Sequence, residues 1–353
     1  MPVQTLPATE AISRLATFDT IIDARSEDEH ALDHVPGAIN WPTLDNLQRI
    51  EIGTLYKQVN PFEAKKRGAA LSARNIAAHI EREVIDKPRG WRPLVYCWRG
   101  GNRSGALATI LGAIGFQVTL IEGGYKAWRA ALVDDLDRLA PTLRYRVICG
   151  PTGSGKTRLL HALAAEGAQV LDLEGLACHR SSVLGHLPGQ PQPSQKRFDS
   201  LVWSQLKGFD PAREVFVESE SKKVGNLRVP DALMEAMRAS PCIDLQLPDT
   251  ERVGLLLEDY DFFVQDPEHF CQRLQALVEL RGREVVNDWI ERVRAGRTPE
   301  VVLDLLLHHY DPMYSASIRR NFVQYGQATG CVLPDRSAAS MVQAAKALTA
   351  QSG

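Results

Sequence analysis

The run Gly150-Pro151-Thr152-Gly153-Ser154-Gly155-Lys156-Thr157 constrains the fold of this 353-residue chain more than any other segment. Gly150, Gly153 and Gly155 permit a tight backbone wrap in which amide hydrogens surround a phosphate, and Lys156 with a helix start neutralises the charge. Such a wrap works only between a strand and a helix. The apolar run Leu143 to Cys149 supplies the strand and Arg158 to Leu163 continues as the helix, which predicts a parallel α/β sheet from residue 144 onward. Gly150, Gly153, Ser154, Gly155, Lys156 and Thr157 are therefore the candidate polyphosphate grip, with the Thr157 hydroxyl placed for a magnesium ion. A nucleotide hydrolase also needs an acid at the end of a neighbouring apolar strand. Val170-Leu171-Asp172 and Val215-Phe216-Val217-Glu218 both qualify. The loop itself leaves the ligand open.

A second anion-binding turn precedes this one. Cys97-Trp98-Arg99-Gly100-Gly101-Asn102-Arg103-Ser104 follows the apolar run Pro93 to Tyr96 and leads into a helix with apolar positions Leu107, Ile110, Leu111 and Ile114. Thr20 to Asp23 and Gln117 to Ile121 read as further buried strands, so Cys97 falls at the C-terminal edge of a parallel sheet, where ligand sites collect. Gly100, Gly101 and Asn102 let backbone N–H groups converge, the helix adds its positive end, and Arg99 and Arg103 add charge. Together these favour a thiolate and hold an oxyanion above it. The competing reading, a buried structural cysteine, explains neither the glycines nor the arginines.

The length predicts two domains. The N-terminus is polar and no apolar run approaches twenty residues, which predicts a soluble, cytoplasmic protein without a membrane span. Six cysteines without CxxC spacing argue against a disulfide framework or a structural zinc site. A formal net charge of -2 gives no global pull toward nucleic acid, so RNA contact would use local patches such as Lys65-Lys66-Arg67, Lys222-Lys223 or Arg319-Arg320, each of which also reads as a solvated surface run.

The N-terminal stretch resembles a rhodanese domain. The resemblance rests on Ile22 to His30 with His34-Val35-Pro36-Gly37-Ala38-Ile39-Asn40 at its start and on Gly123-Gly124-Tyr125-Lys126-Ala127-Trp128 at its end. Five residues separate Cys97 from Arg103, one more than in sulfur-transferring rhodaneses and as in their phosphatase and arsenate-reductase relatives; the wider cradle suits a tetrahedral phosphorus oxyanion. Residues 41–91 interrupt the rhodanese pattern, and within them Tyr56 and Lys57 could meet a base and a phosphate or belong to a covering loop. Asp172 to Ser182, Glu218-Ser219-Glu220-Ser221 with Val224-Gly225, Tyr310-Asp311-Pro312-Met313-Tyr314 and the Gly53 to Gln58 stretch are similar to signatures of the tRNA 2-selenouridine synthase family. That resemblance implies a rhodanese-like domain over 1–135, a linker over 136–143, and a P-loop NTPase-like parallel-sheet domain over 144–353 with a helical C-terminal part.

It further implies a two-stage reaction on tRNA: geranylation of wobble 2-thiouridine from geranyl diphosphate, then replacement of the geranylated sulfur by selenium from selenophosphate. A selenophosphate-supplying enzyme is the expected partner, magnesium the expected ion, and no organic cofactor is expected. Cys97 is expected to carry selenium as S-selanylcysteine. Asp172, His179, Arg180, Glu218 and Glu220 are supporting candidates; His179 and Arg180 read equally as a surface helix start, and Glu218 with Glu220 as a charged strand end. Cys149 and Cys178 read as structural, Cys331 as buried, and Glu258-Asp259-Tyr260-Asp261 as a solvated helix end. Asp266 to His309 is expected to be helical, packing through Leu274, Leu277, Val278, Val285, Trp289, Ile290, Leu303 and Leu306. Ser337 is expected to cap a last helix. Two other classes fit parts of the sequence: a Cys-dependent arsenate reductase or phosphatase, and an ATP-dependent kinase or ATPase with a regulatory rhodanese module.

Overall fold

The computed structural model of the chain describes residues 3–180 and 189–351. Two compact units form, Met1–Leu136 with Pro193–Ser204, and Asp137–Gln192 with Gln205–Gly353. In the first, β1 (Gln4–Leu6), β2 (Thr20–Asp23), β3 (Ala38–Asn40), β4 (Pro93–Tyr96) and β5 (Thr119–Ile121) lie parallel in the order β1-β5-β4-β2-β3. All four residues of β4 are buried, as a central strand covered on both faces requires. The register sets Asp23 beside Tyr96, so the chain leaves both strands at the same sheet edge, immediately before Cys97.

The helix Asn102–Ile114 follows the cysteine turn and stops at Gly115, whose φ of 117° is a left-handed cap. Its buried stripe runs through Ser104, Leu107, Ala108 and Leu111. Ile110 and Ile114, expected in that stripe, are instead 37% and 52% exposed; small Ser104 and Ala108 let the helix approach the sheet closely. The interrupting segment forms two helices. Asn46–Gln58 starts with a capping box from Asp45 and Gln48, and Pro61–Glu83 starts under the Asn60 side chain with proline at its first turn. Residues 193–204 also belong to this unit, where Phe198 and Val202 are buried and the Trp203 ring meets Trp128 edge-on at 5.6 Å.

The second unit has β6 (Arg144–Cys149), β7 (Gln169–Leu171), β8 (Glu214–Glu218), a two-stranded ribbon of β9 (Lys223–Val224) and β10 (Leu227–Arg228), β11 (Cys242–Gln246) and β12 (Thr329–Val332). The main sheet is parallel in the order β12-β11-β6-β8-β7. Ile148 pairs with Glu218, so the phosphate loop and the end of β8 sit side by side. Cys149 is fully buried, and its hydrogen bond with Cys242, then burial, hold the thiol protonated. Cys331 is half-buried rather than buried, because β12 is an edge strand. Ser337 caps the helix Ala338–Ala350 as expected.

Helices from Asp249 to Asn321 pack around Phe263, Phe270, Leu274, Leu277, Trp289, Ile290, Val301 and Leu305. Val286 takes the place expected for Val285, which is 43% exposed, because Val286, Trp289 and Val293 form the stripe at helical spacing. Among the described residues no helix is long and apolar enough to cross a membrane.

Candidate functional site

Cys97 is buried directly after β4, and the Ser104 hydroxyl donates to its Sγ at 3.0 Å. Two glycines hold the turn against its neighbour. Gly124 has φ of 59°, and a Cβ there would stand 2.3 Å from the Cys97 carbonyl oxygen and 2.5 Å from the Gly100 nitrogen. Tyr125 N–H then donates to the Cys97 carbonyl at 2.8 Å and Lys126 N–H to that of Trp98 at 3.0 Å. The Gly123-Gly124-Tyr125 signature is thus the floor of the cysteine turn, and no side chain larger than hydrogen fits at Gly124.

Arg99, Gly101 and Asn102 are exposed at the mouth of the turn, and Gly100 is partly covered. Arg103 is held by Glu29, with Nη1 to Oε2 at 2.7 Å. Glu29 also receives Arg49 at 3.1 Å. Burial raises the Glu29 pKa, but the two guanidiniums outweigh it and keep the carboxyl below its usual range. Beneath the turn Arg25 is fully buried on Asp23, with Nη2 to Oδ2 at 2.6 Å, and lies 4.0 Å from the Tyr125 ring centroid.

The second unit holds the phosphate loop. Gly153 and Gly155 have φ of 77° and 88°, and a Cβ on Gly155 would lie 2.6 Å from Met341 Cε. The helix Lys156–Ala165 begins at the loop, with Lys156 Nζ donating to the Gly150 carbonyl at 2.9 Å. Tyr314, from the Tyr310–Tyr314 signature, accepts the Gly150 N–H through its hydroxyl. Arg252, almost fully buried, donates to the Thr152 carbonyl at 2.8 Å and to Asp311 Oδ1 at 2.6 Å. It ties the loop to the same signature, and no local pattern marked it in the sequence.

The two acids left open by the sequence separate here. Asp172 caps the helix Leu173–Ala177 by accepting from Gly175 N–H at 2.8 Å and faces His161 at 3.2 Å. Glu218 instead stands beside the Thr157 hydroxyl, is 3% exposed, and leaves Oε1 without a hydrogen-bond partner. Burial and then the nearby Glu174 push its pKa up to about 8. One carboxylate oxygen from each of Glu174, Glu218 and Glu220 lies within 4.8 Å of the others. Three hard oxygen donors, one an orphaned buried acid, beside a loop threonine are a donor set suited to Mg²⁺. Glu174 was the member sequence reasoning missed.

A cavity of about 840 Å³ spans the loop and this cluster, lined also by His179, Arg180 and Tyr314. Arg180 stacks 4.5 Å from the Tyr260 ring centroid and donates to the Asp259 carbonyl. Asp259 receives Arg158 at 2.6 Å; the helix ends at Asp259 with Glu258 and Asp261 exposed as expected, while Asp259 and Tyr260 are partly covered and line the cavity. Ser181 and Ser182 of the Asp172 to Ser182 stretch lie outside the described residues. A small apolar pocket adjoins the cavity, lined by Phe263, Phe270, Val302 and Leu305 and sharing Thr152, Leu256, Tyr260 and Tyr310 with it.

Residues 143–295 match the family described as tRNA 2-selenouridine synthase AAA domain, and residues 7–131 match the rhodanese-like domain. A tRNA 2-selenouridine synthase of Nitrosomonas eutropha is 31% identical over 94% of this chain and 95% of its own length. That of Nitrosomonas europaea is 36% identical over 70% of this chain and 66% of its own. Among solved structures, a rhodanese-like domain protein from Staphylococcus aureus covers 36% of this chain and 91% of its own, at 19% identity and a TM-score of 0.24.

Proposed function

The chain belongs to the tRNA 2-selenouridine synthase family, and from that premise we propose that it works in two stages at two sites, geranylating the sulfur of wobble 2-thiouridine and then exchanging that sulfur for selenium. The observation that carries the first stage is the apolar pocket beside the phosphate loop. A polyphosphate grip sharing its wall with an apolar pocket suits a diphosphate ester with a hydrocarbon tail, such as geranyl diphosphate.

In that stage the thiouridine sulfur attacks C1 of the geranyl group, the C–O bond to diphosphate breaks, and the uridine N3 proton is released. Charge develops on the departing diphosphate. Lys156, which here donates to the Gly150 carbonyl, would exchange that bond for a diphosphate oxygen and, with the loop amides, lower the barrier by stabilising this charge. Thr157, Glu218, Glu174 and Glu220 would hold Mg²⁺, which supplies further charge neutralisation when bound.

The second stage belongs to Cys97. Geranylation turns the C2 thiocarbonyl sulfur into a thioether, which leaves far more readily. Selenium in selenophosphate is already at the selenide level, so attack of a thiolate on selenium would expel phosphorus as phosphite. Attack on phosphorus forms an S–P bond and releases hydrogen selenide, whose addition at C2 expels geranylthiolate; water then frees phosphate from Cys97. This route replaces the S-selanylcysteine expected from the sequence, and it uses the five-residue spacing, which suits a phosphoryl group. The Ser104 hydroxyl supports the sulfur as nucleophile and as leaving group.

The test of the first stage is Val302→Trp, which fills the apolar pocket. Binding of geranyl diphosphate should weaken at least tenfold while inorganic diphosphate binds as before. Unchanged binding of geranyl diphosphate, or ATP outcompeting it on the intact protein, overturns the assignment. For the second stage, phosphorus NMR of consumed selenophosphate should show phosphate; phosphite would restore the S-selanylcysteine.

A further inference from the structure

The helical hairpin that interrupts the rhodanese pattern has no part in either chemical step. The helix Asn46–Gln58 buries none of its residues. Leu47, Ile50, Tyr56, Val59 and Phe62 are 53% to 79% exposed within a stretch of sixteen residues. Single exposed apolar residues need no explanation, but a cluster of this density marks an interaction surface. Tyr56 and Phe62 flank the turn between the two helices, and Lys66 Nζ lies 5.1 Å from the Phe62 ring centroid.

Charge selects the partner. Between residues 46 and 83 there are seven Lys or Arg against four Glu and no Asp, in a chain whose formal net charge is -2. Glu63 and Glu51 pair with Lys66 and Arg67. Lys57, Lys65 and Arg74 are exposed and form no ion pair among the described residues. Exposed aromatic rings set among cations suit a polyanion that also presents planar faces, which is single-stranded or looped RNA.

Position supports the same partner. Arg49, in the first turn of the hairpin, shares Glu29 with Arg103 of the cysteine turn, so the hairpin borders the mouth of the site that receives the modified base. We propose that this hairpin is the docking platform for the anticodon arm of the tRNA, with Tyr56 and Phe62 stacking on unpaired bases and Lys57 and Lys65 meeting phosphates. The inference rests on the tRNA-modifying reading and names the surface that reading lacks.

The experiment is fluorescence anisotropy of the full chain with a labelled anticodon stem-loop RNA carrying 2-thiouridine. Base–aromatic stacking tolerates any base but needs the ring, so Tyr56→Ala with Phe62→Ala should weaken binding at least tenfold. Lys57→Ala with Lys65→Ala should lower the slope of log affinity against log salt by roughly 1–2. All four residues are exposed, and consumption of selenophosphate at Cys97 without RNA should stay at the wild-type rate. Wild-type affinity and salt slope in both variants overturn the proposal. So does a wild-type dimer that the aromatic variant converts to monomer with RNA binding intact, since the surface then serves self-association. Failure of the wild-type protein to consume selenophosphate would instead sink the catalytic reading and leave the RNA result standing.

Discussion

Replacing Glu218 by Gln removes a buried acid at the heart of the proposed cation site, and its effect on stability has a calculable pH signature. The Glu218 pKa moves from 4.5 to about 8, chiefly through burial and the proximity of Glu174. The folded state therefore binds more protons than the unfolded one between those values, so stability falls as pH rises through that window. At about 1.4 kcal/mol per unit, the accumulated cost at pH 7 is of order 3 kcal/mol and near zero at pH 4.5. The Glu218→Gln amide cannot ionise and escapes this cost. Urea unfolding followed by circular dichroism in chelator should show the variant gaining on the wild type from pH 5 to pH 7. Saturating Mg²⁺ should close the gap by stabilising only the wild type, with release of a proton on binding. Parallel pH profiles for the two proteins, or equal stabilisation of both by Mg²⁺, would refute the account of Glu218 as an orphaned acid awaiting a cation.

Three further outcomes are expected. Gly124→Ala places a Cβ within 2.5 Å of two backbone atoms of the cysteine turn, so selenium incorporation should fall at least a hundredfold while geranyl diphosphate binding in the other unit is retained; nucleoside analysis and calorimetry separate the two. Arg252→Ala frees the Thr152 carbonyl and leaves the partly covered Asp311 without its guanidinium, which should cost about 1–3 kcal/mol in chemical denaturation. Lys156→Ala should block geranylation, read as loss of the hydrophobic nucleoside by chromatography, and geranylation at the wild-type rate would contradict the role given to the loop.

Much of the fold could be read from the chain because its central strands are buried on both faces and its ligand loops carry glycine. Pro93 to Tyr96 is a continuous apolar run, the pattern that a central parallel strand demands, and Ile21-Ile22 is the apolar centre of its neighbour Thr20 to Asp23. The phosphate loop declares its flanking strand and helix by its own mechanics. Other features depend on distant partners. Gln4–Leu6 is a strand only because it pairs with Thr119–Ile121, and residues 193–204, inside the 144–353 stretch expected to form the P-loop domain, group with the first unit, where Phe198 and Trp203 are buried. The cysteine turn was legible in its glycines, yet Arg103 is occupied by Glu29, a residue seventy-four positions away. Arg252 carries no local signature, and Glu174 lies within the Asp172 to Ser182 stretch without being marked as a ligand; both matter because the β6, β8 and helix ends converge, which only the sheet order fixes.

The division of labour between the thiol and the phosphate loop is tested most directly by mass spectrometry of nucleosides from 2-thiouridine tRNA incubated with Cys97→Ser, geranyl diphosphate and selenophosphate. Geranylated 2-thiouridine should accumulate with no selenouridine. Selenouridine at the wild-type level, or loss of the geranylated nucleoside along with it, would contradict the account.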